Sequence, residues 1–253
     1  MKTAKPLSEW QDYLESACSS GLLGELEVRV YQETKSTQEA AKSFAPKPVL
    51  VIADHQTAGR GRLGRTWHSE PGNAVLMSLV WPIEAQQLTH DRVSMLTGYA
   101  AARTVERFLP GVPVRIKWPN DVMIDQRKIA GVLIEAVKDA FIIGIGLNVG
   151  VSQDVYAQTE KRSTSLSEYA QVPDRLLVIE YLVNELRLRL RGQSNPLNTW
   201  RRLAAFGQTQ TFDQGGQQIT GEVLDLDPDH GLIVRRDTGE IITLPAATTS
   251  VVK

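Results

Sequence analysis

Between residues 114 and 146, four short apolar segments follow one another at about 114–118, 121–124, 128–137 and 141–146, with only two or three residues between them. Runs of this length, rich in Val and Ile and bounded by polar turn residues, read as strands. A chain that commits to so many successive strands must build a sheet and cover it. The flanking pattern supplies the cover. Leu7, Trp10, Leu14 and Cys18 recur at helical spacing, which predicts an amphipathic helix over 7–19. Residues 28–31 (VRVY) read as a strand, and Ser36 with Glu39 forms a capping box ahead of a helix to about Phe44, which Pro46 and Pro48 end. VLVIAD (49–54) and AVLMSLVW (74–81) are buried strands, and 91–109 is a long helix. A second long helix over 175–190 and a shorter one over 196–205 follow.

From Gly207 the pattern changes. TQTF, QQITGEVLDL, LIVRR, EIITL and SVVK are short strands separated by QGG, DPDHG and DTG, which are turn sequences. Five such strands suit a small barrel. The expected class is therefore α+β: a mixed sheet with flanking helices over residues 1–205 and a small β-barrel over 206–253. No flexible linker divides the two, so they should pack closely.

Composition narrows the partners. With 28 Lys+Arg against 29 Asp+Glu the net charge is −1, which lacks the cationic excess that nonspecific nucleic-acid binding draws on. One cysteine, Cys18, and four histidines offer no cluster at metal-ligand spacing. No apolar run is long enough to span a membrane and no export signal opens the chain, so a cytoplasmic protein is expected.

Three segments carry chemistry. The polar stretch from His55 to Asn73 is longer than most connections in a compact domain, and loops of that length are commonly functional. Within it, GRGRLGRTW (59–67) satisfies the dinucleotide fingerprint in form only. The first glycine does not directly follow the strand, and RTWHSEPGN after Gly64 is poor helix material. Guanidinium groups on a glycine-loosened backbone instead suit an anion, although a solvated surface loop would share the composition. In RIKWPNDVMIDQRKIAGVLIE (115–135), a hairpin turn at Asp125–Arg127 would bring Lys128 level with Met123 and Asp121, so that an ammonium and a carboxylate share one pocket. The alternative is an exposed hairpin with both groups in water. In IIGIGLNVG (142–150), glycines at 144, 146 and 150 mark close approach of a ligand or a backbone, or a simple bulge beside Asn148.

Taken together, these segments resemble the biotin protein ligase family. GRGRLGRTW resembles its adenylate loop, KWPND (117–121) and RKIAG (127–131) its second signature, and GLN (146–148) its third. STQEAA (36–41) resembles a family segment that begins Ser-Thr-Asn, with Gln38 replacing the asparagine. The resemblance implies a catalytic domain related to class II aminoacyl-tRNA synthetases, a Src-homology-3-like barrel, and the form without an N-terminal DNA-binding domain. It implies biotin contacts from Ser36, Thr37, Gln38, Gln56, Arg60, Gly61, Arg62, Lys128 and Gly131. Contacts to ATP or the adenylate fall to Arg65, Trp67, Asn120, Lys128 and Asn148, and catalytic roles to Lys128, Arg62 and Asp121. ATP, biotin and Mg²⁺ are the implied small molecules, with no metal ligands identified. The implied partner is a biotin carboxyl carrier protein domain of acetyl-CoA carboxylase, with neither nucleic acid nor membrane involved. A lipoate or octanoate transferase of the same fold is the nearest rival, and the sequence leaves monomer and homodimer open.

Overall fold

The computed structural model describes residues 5–19, 26–83, 88–150, 163–171, 173–191, 200, 203–204 and 206–252. The anticipated N-terminal helix is one 3-10 turn, Leu7–Glu9, running into α1, Trp10–Ser19, whose Trp10, Leu14 and Cys18 are buried. Strand β1, Glu27–Thr34, extends well beyond VRVY. It pairs in parallel with β2, Val49–Gln56, over its whole length, from Glu27↔Val49 to Thr34↔Gln56. As an edge strand held by backbone bonds on one side, it needs no apolar residues in its polar half. Helix α2, Thr37–Lys42, makes the crossover between them.

A long connection with a 3-10 turn at Arg62–Gly64 leads to β3, Ala74–Pro82, and then to α3, His90–Phe108. Four strands follow close to their predicted places: β4 (Arg115–Lys117), β5 (Asp121–Ile124), β6 (Arg127–Val137) and β7 (Ala140–Asn148). The seven strands form one sheet in the order β1-β2-β3-β7-β6-β5-β4, antiparallel except for the first pair. Helices α1, α3 and α4 (Arg175–Leu190) cover one face, while α2 packs through Ala41 on Val49, Val51, Val80 and Ile142 of the other. Cover on both faces explains why AVLMSLVW shows no alternation: β3 is buried from Ala74 to Trp81. The helix expected over 196–205 falls largely outside the described residues. Trp200 itself is buried, donates from Nε1 to Met95 O at 3.1 Å, and meets Trp118 edge to face.

The five expected C-terminal strands are β8 (Thr209–Gln214), β9 (Gln217–Asp227), β10 (Gly231–Arg236), β11 (Ile241–Leu244) and β12 (Thr249–Val251), in the antiparallel order β11-β10-β9-β8-β12. Phe212, Val223, Leu232, Val234 and Leu244 continue the apolar cluster of the larger sheet without a break. Polar contacts reinforce the junction: Arg92 grips Asp229 through Nε at 2.7 Å and NH2 at 2.5 Å, and Ala246 N–H donates to Asp91 Oδ2 at 2.8 Å. Among the described residues no helix is long and apolar enough to cross a membrane.

Candidate active site

The β5–β6 hairpin sets the chemistry. Asp125 and Gln126 at its tip both have positive φ, 47° and 61°, the pairing a two-residue turn needs to follow strand twist. The register then places Met123 opposite Lys128, while Lys117 faces Asp121 across β4–β5. Lys128 Nζ lies 2.6 Å from Asp121 Oδ1, so the ammonium and carboxylate share one site as the hairpin reading required. The lysine backbone is fixed too: Lys128 bridges Ser163 in parallel and accepts from Thr164 N–H at 2.9 Å. Asn148 Nδ2 donates to Thr164 O at 2.9 Å and so holds the segment that holds Lys128.

Lys128 Nζ also stands 5.6 Å from the Trp67 ring centroid, within cation–π range. Trp67 lies across a floor made of Gly131 and Gly146, which face each other in the β6–β7 register. A Cβ at 146 would come within 2.5 Å of the indole, and one at 131 within 2.6 Å of Lys128 Nζ. These glycines are therefore where side chains from another segment approach the sheet.

The arginine-glycine loop is folded as a short hairpin. Arg60 bridges Thr66, Gly61 N–H donates to Arg65 O at 2.7 Å, and Trp67 N–H donates to Gly59 O at 3.0 Å. Its three arginines have different surroundings. Arg60 pairs with Glu39 and Glu135, acidic partners that sequence reading missed. Arg62 donates to the carbonyls of Ala246, at 2.5 Å, in the turn after β11, and Thr249, at 3.0 Å, at the start of β12. Desolvation holds its pKa below the ordinary arginine value against the pull of Asp121. Arg65 lies where two clefts meet.

The first cleft, about 570 Å³, runs from Asp121, Lys128 and Trp67 to a polar deep end. There Gln56 Oε1 accepts from Thr37 N–H at 2.7 Å, Ser78 hydroxyl contacts Thr37 hydroxyl at 2.9 Å, and Gln38 Nε2 donates to Ile142 O at 3.0 Å. Ser36 Oγ is buried with no hydrogen-bond partner among the described residues. Burial works to raise the Glu135 pKa, but hydrogen bonds from Lys42, Gln38 and Arg60 outweigh it and hold the carboxyl below its ordinary range. The second cleft, about 1040 Å³, shares the Trp67–Lys128–Asp121 wall and extends past Asn148 to Trp200, Gln208 and Val223.

Of the residues singled out from sequence, Ser36, Thr37, Gln38, Gln56, Arg60, Gly61, Arg62, Arg65, Trp67, Asp121, Lys128 and Gly131 all line the first cleft. Asn148 lines the second. Asn120 lines neither: it is buried against α3, with Nδ2 donating to Ser94 Oγ at 2.7 Å and Oδ1 without a hydrogen-bond partner among the described residues. Ser78, also on the cleft wall, was missed, because one hydroxyl inside an apolar strand carries no pattern.

The model of the biotin/lipoate A/B protein ligase family matches residues 29–152. The bifunctional ligase/repressor BirA of Bacillus subtilis (strain 168) is 38% identical over 156 residues, covering 59% of this chain and 48% of that protein. The biotin acetyl-CoA-carboxylase ligase of Paracoccus denitrificans is 29% identical over 235 residues, covering 85% of this chain and 96% of that protein. The chain spans about half the length of the two Bacillus relatives it matches. Among solved structures, the biotin protein ligase from Aquifex aeolicus in complex with biotin and ATP superposes with a TM-score of 0.78 at 25% identity, covering 89% of this chain and 98% of that one.

Proposed function

We propose that the chain is a member of the biotin/lipoate A/B protein ligase family, whose model it matches over residues 29–152, and that it activates biotin with ATP and transfers it to a lysine of a biotin carboxyl carrier protein. In the first step a carboxylate oxygen of biotin bonds to the α-phosphorus of ATP and pyrophosphate leaves, giving biotinyl-5′-adenylate. In the second the neutral ε-amine of the carrier lysine bonds to the acyl carbon, AMP leaves, and the amine loses a proton. The observation that carries this reading is the ammonium–carboxylate pair, Lys128 and Asp121, on the wall shared by two clefts, one of them with a buried polar end.

Biotin's carboxylate is ionised at neutral pH, so activation needs no general base. The barrier lies in joining two anions, and fixed cations lower it. Lys128 is placed to bridge the carboxylate and α-phosphate, and Asp121 to orient the incoming amine or take its proton. Biotin lies in the first cleft with its ring at the Thr37–Gln56 end, and the nucleotide in the second, against Trp67 and Asn148. Arg62 and Arg65 serve the phosphates, which requires Arg62 to exchange its carbonyl partners for phosphate oxygens. Asn120 acts from beneath, through the backbone that carries Asp121. Among the described residues no group of three His, Cys, Asp or Glu side chains is arranged to hold a metal, so Mg²⁺ would enter with the phosphates and neutralise their charge.

The reading extends to the finer fold. Residues 1–205 form the catalytic unit, related to class II aminoacyl-tRNA synthetases, and 206–253 a Src-homology-3-like barrel. Action in the cytoplasm, as monomer or homodimer, belongs to the same proposal. The test is exchange of labelled pyrophosphate into ATP, with biotin or lipoate supplied. Exchange that depends on biotin is expected, and exchange with lipoate alone would overturn the reading in favour of the rival acyl ligase.

A further inference from the structure

Strand β6 loses regular support on both sides where Lys128 stands. The β5–β6 register passes from Met123↔Lys128 to Val122↔Ala130, so Ile129 is an extra residue and β6 bulges next to the lysine. On the other side the ladder to β7 stops at Ala130↔Leu147, before it reaches Lys128. Ser163 and Thr164 take over there: Ser163 bridges Lys128 in parallel, Thr164 N–H donates to Lys128 O at 2.9 Å, and Asn148 Nδ2, from the end of β7, donates to Thr164 O at 2.9 Å. The ammonium is therefore only as well placed as this inserted segment.

The segment is tied in turn to the tip of the β5–β6 hairpin. Thr164, Ser165 and Leu166 are fully buried, and a 3-10 turn over Leu166–Glu168 follows them. Glu168 divides its carboxylate between two duties. Its Oε1 folds the segment, accepting from the Thr164 hydroxyl at 2.8 Å and from Ser165 N–H at 3.1 Å. Its Oε2 accepts from Arg127 NH1 at 2.7 Å, while Arg127 NH2 donates to the Tyr169 hydroxyl at 2.9 Å and that hydroxyl reaches Asp125 Oδ2 at 3.4 Å. Successive side chains of a strand point to opposite faces, so Arg127 is gripped from behind while Lys128 enters the clefts. An ion pair as accessible as Arg127–Glu168 adds little to stability. What it fixes is the orientation of a strand that leaves a turn of two positive-φ residues, Asp125 and Gln126.

We infer that Glu168, Arg127 and Tyr169 are positioning residues that act through Lys128, setting where its ammonium stands in the step that joins carboxylate to phosphate. The inference rests on the reading of Lys128 as the cation of that step and adds what aims it. Asn148 and Ser163 line the second cleft, so the wall of that cleft and the lysine share one support. Glu168→Gln separates the two duties of the carboxylate: Oε1 still accepts from Thr164 and Ser165, but an amide N–H now meets the Arg127 guanidinium, donor against donor.

The test is biotin-dependent pyrophosphate exchange by the full chain, unsubstituted and as Glu168→Gln, Lys128→Gln and the double variant. A misplacement of about 1 Å at a reacting group costs on the order of 10²-fold in rate, so Glu168→Gln, a smaller disturbance, should lower kcat about tenfold. The KM for biotin should stay within about twofold, because α2, β2 and β3 build the deep end of the cleft without help from this segment. In the Lys128→Gln background the same substitution should change the residual rate by less than about twofold, since the group it places is gone. Thermal melting within about two degrees of the unsubstituted protein shows each variant folded. Tyr169→Phe, which removes one hydroxyl, carries the same comparison should Glu168→Gln not fold. An equal loss in both backgrounds would show a general structural role, and no loss in either would show none; each overturns the inference. A chain that exchanges no pyrophosphate with biotin at all would overturn the functional reading and the inference with it, a result distinct from equal losses in two active backgrounds.

Discussion

Lys128 is held by its neighbours at both ends: its carbonyl by Thr164 N–H and its ammonium by Asp121 and the Trp67 face. A preorganised charge of that kind loses most of its effect when neutralised, so Lys128→Gln should slow biotin-dependent pyrophosphate exchange by roughly 10²–10³-fold. Asp121→Asn should spare that exchange and slow transfer to the carrier, which gel-shift labelling of a carrier domain would separate. Both residues were legible in the sequence because one short turn makes them neighbours. The partners of Arg60 were not, since Glu135 lies 75 positions away and meets it only through the fold. Glu135 gives a pH signature. Its carboxyl titrates below the ordinary value of 4.5, so the stability it contributes is fully present above 4.5 and is lost as pH falls through the depressed value. The melting difference between the unsubstituted protein and Glu135→Gln, about 1 kcal/mol, should therefore hold steady above pH 5 and shrink below 4.5.

At the scale of elements, every strand expected between 114 and 146 exists, and each differs from its expected ends by no more than two residues. Strand and turn chemistry are local, which is why they could be read. The sequence of the arginine-glycine loop marks it as a candidate anion site but does not reveal its fold, because its hairpin closes through main-chain bonds between residues 59–67 that leave no side-chain pattern. Leu63 sits at its tip with φ 54° and is 60% exposed, a strained position for a branched side chain. The Asp125–Gln126 turn is strained in the same sense, and Gln126→Gly should raise stability by about 0.5–1 kcal/mol in denaturant titrations, with register unchanged. Arg62→Ala should raise amide hydrogen exchange across 59–67, because it cuts the loop from Ala246 and Thr249. Unaltered protection would show that the hairpin bonds hold the loop unaided.

The apolar cluster runs continuously from Trp10 to Phe212 and Leu244, so the whole molecule should unfold as one body. A single calorimetric transition is expected, and Asp229→Ala should lower its midpoint by a degree or so without splitting it, since the Arg92–Asp229 pair is partly exposed and worth about 0.5–1 kcal/mol. Two resolved transitions would mean that the β8–β12 sheet folds independently. The close junction was expected from the absence of a linker, but the residues that make it were hidden, because Asp91, Arg92 and Asp229 look like ordinary surface charges in sequence.

The grip of Arg62 on the β8–β12 sheet falls on two peptide carbonyls rather than on side chains. Replacing the residues at 246 or 249 leaves those oxygens where they are. A mutational scan of the last fifty positions would thus read, at the buried positions 246 and 249, the cost of disturbed packing and not the loss of this joint. Only changes on the arginine side, or amide-to-ester exchange in the polypeptide itself, would reveal that the two sheets are mechanically coupled.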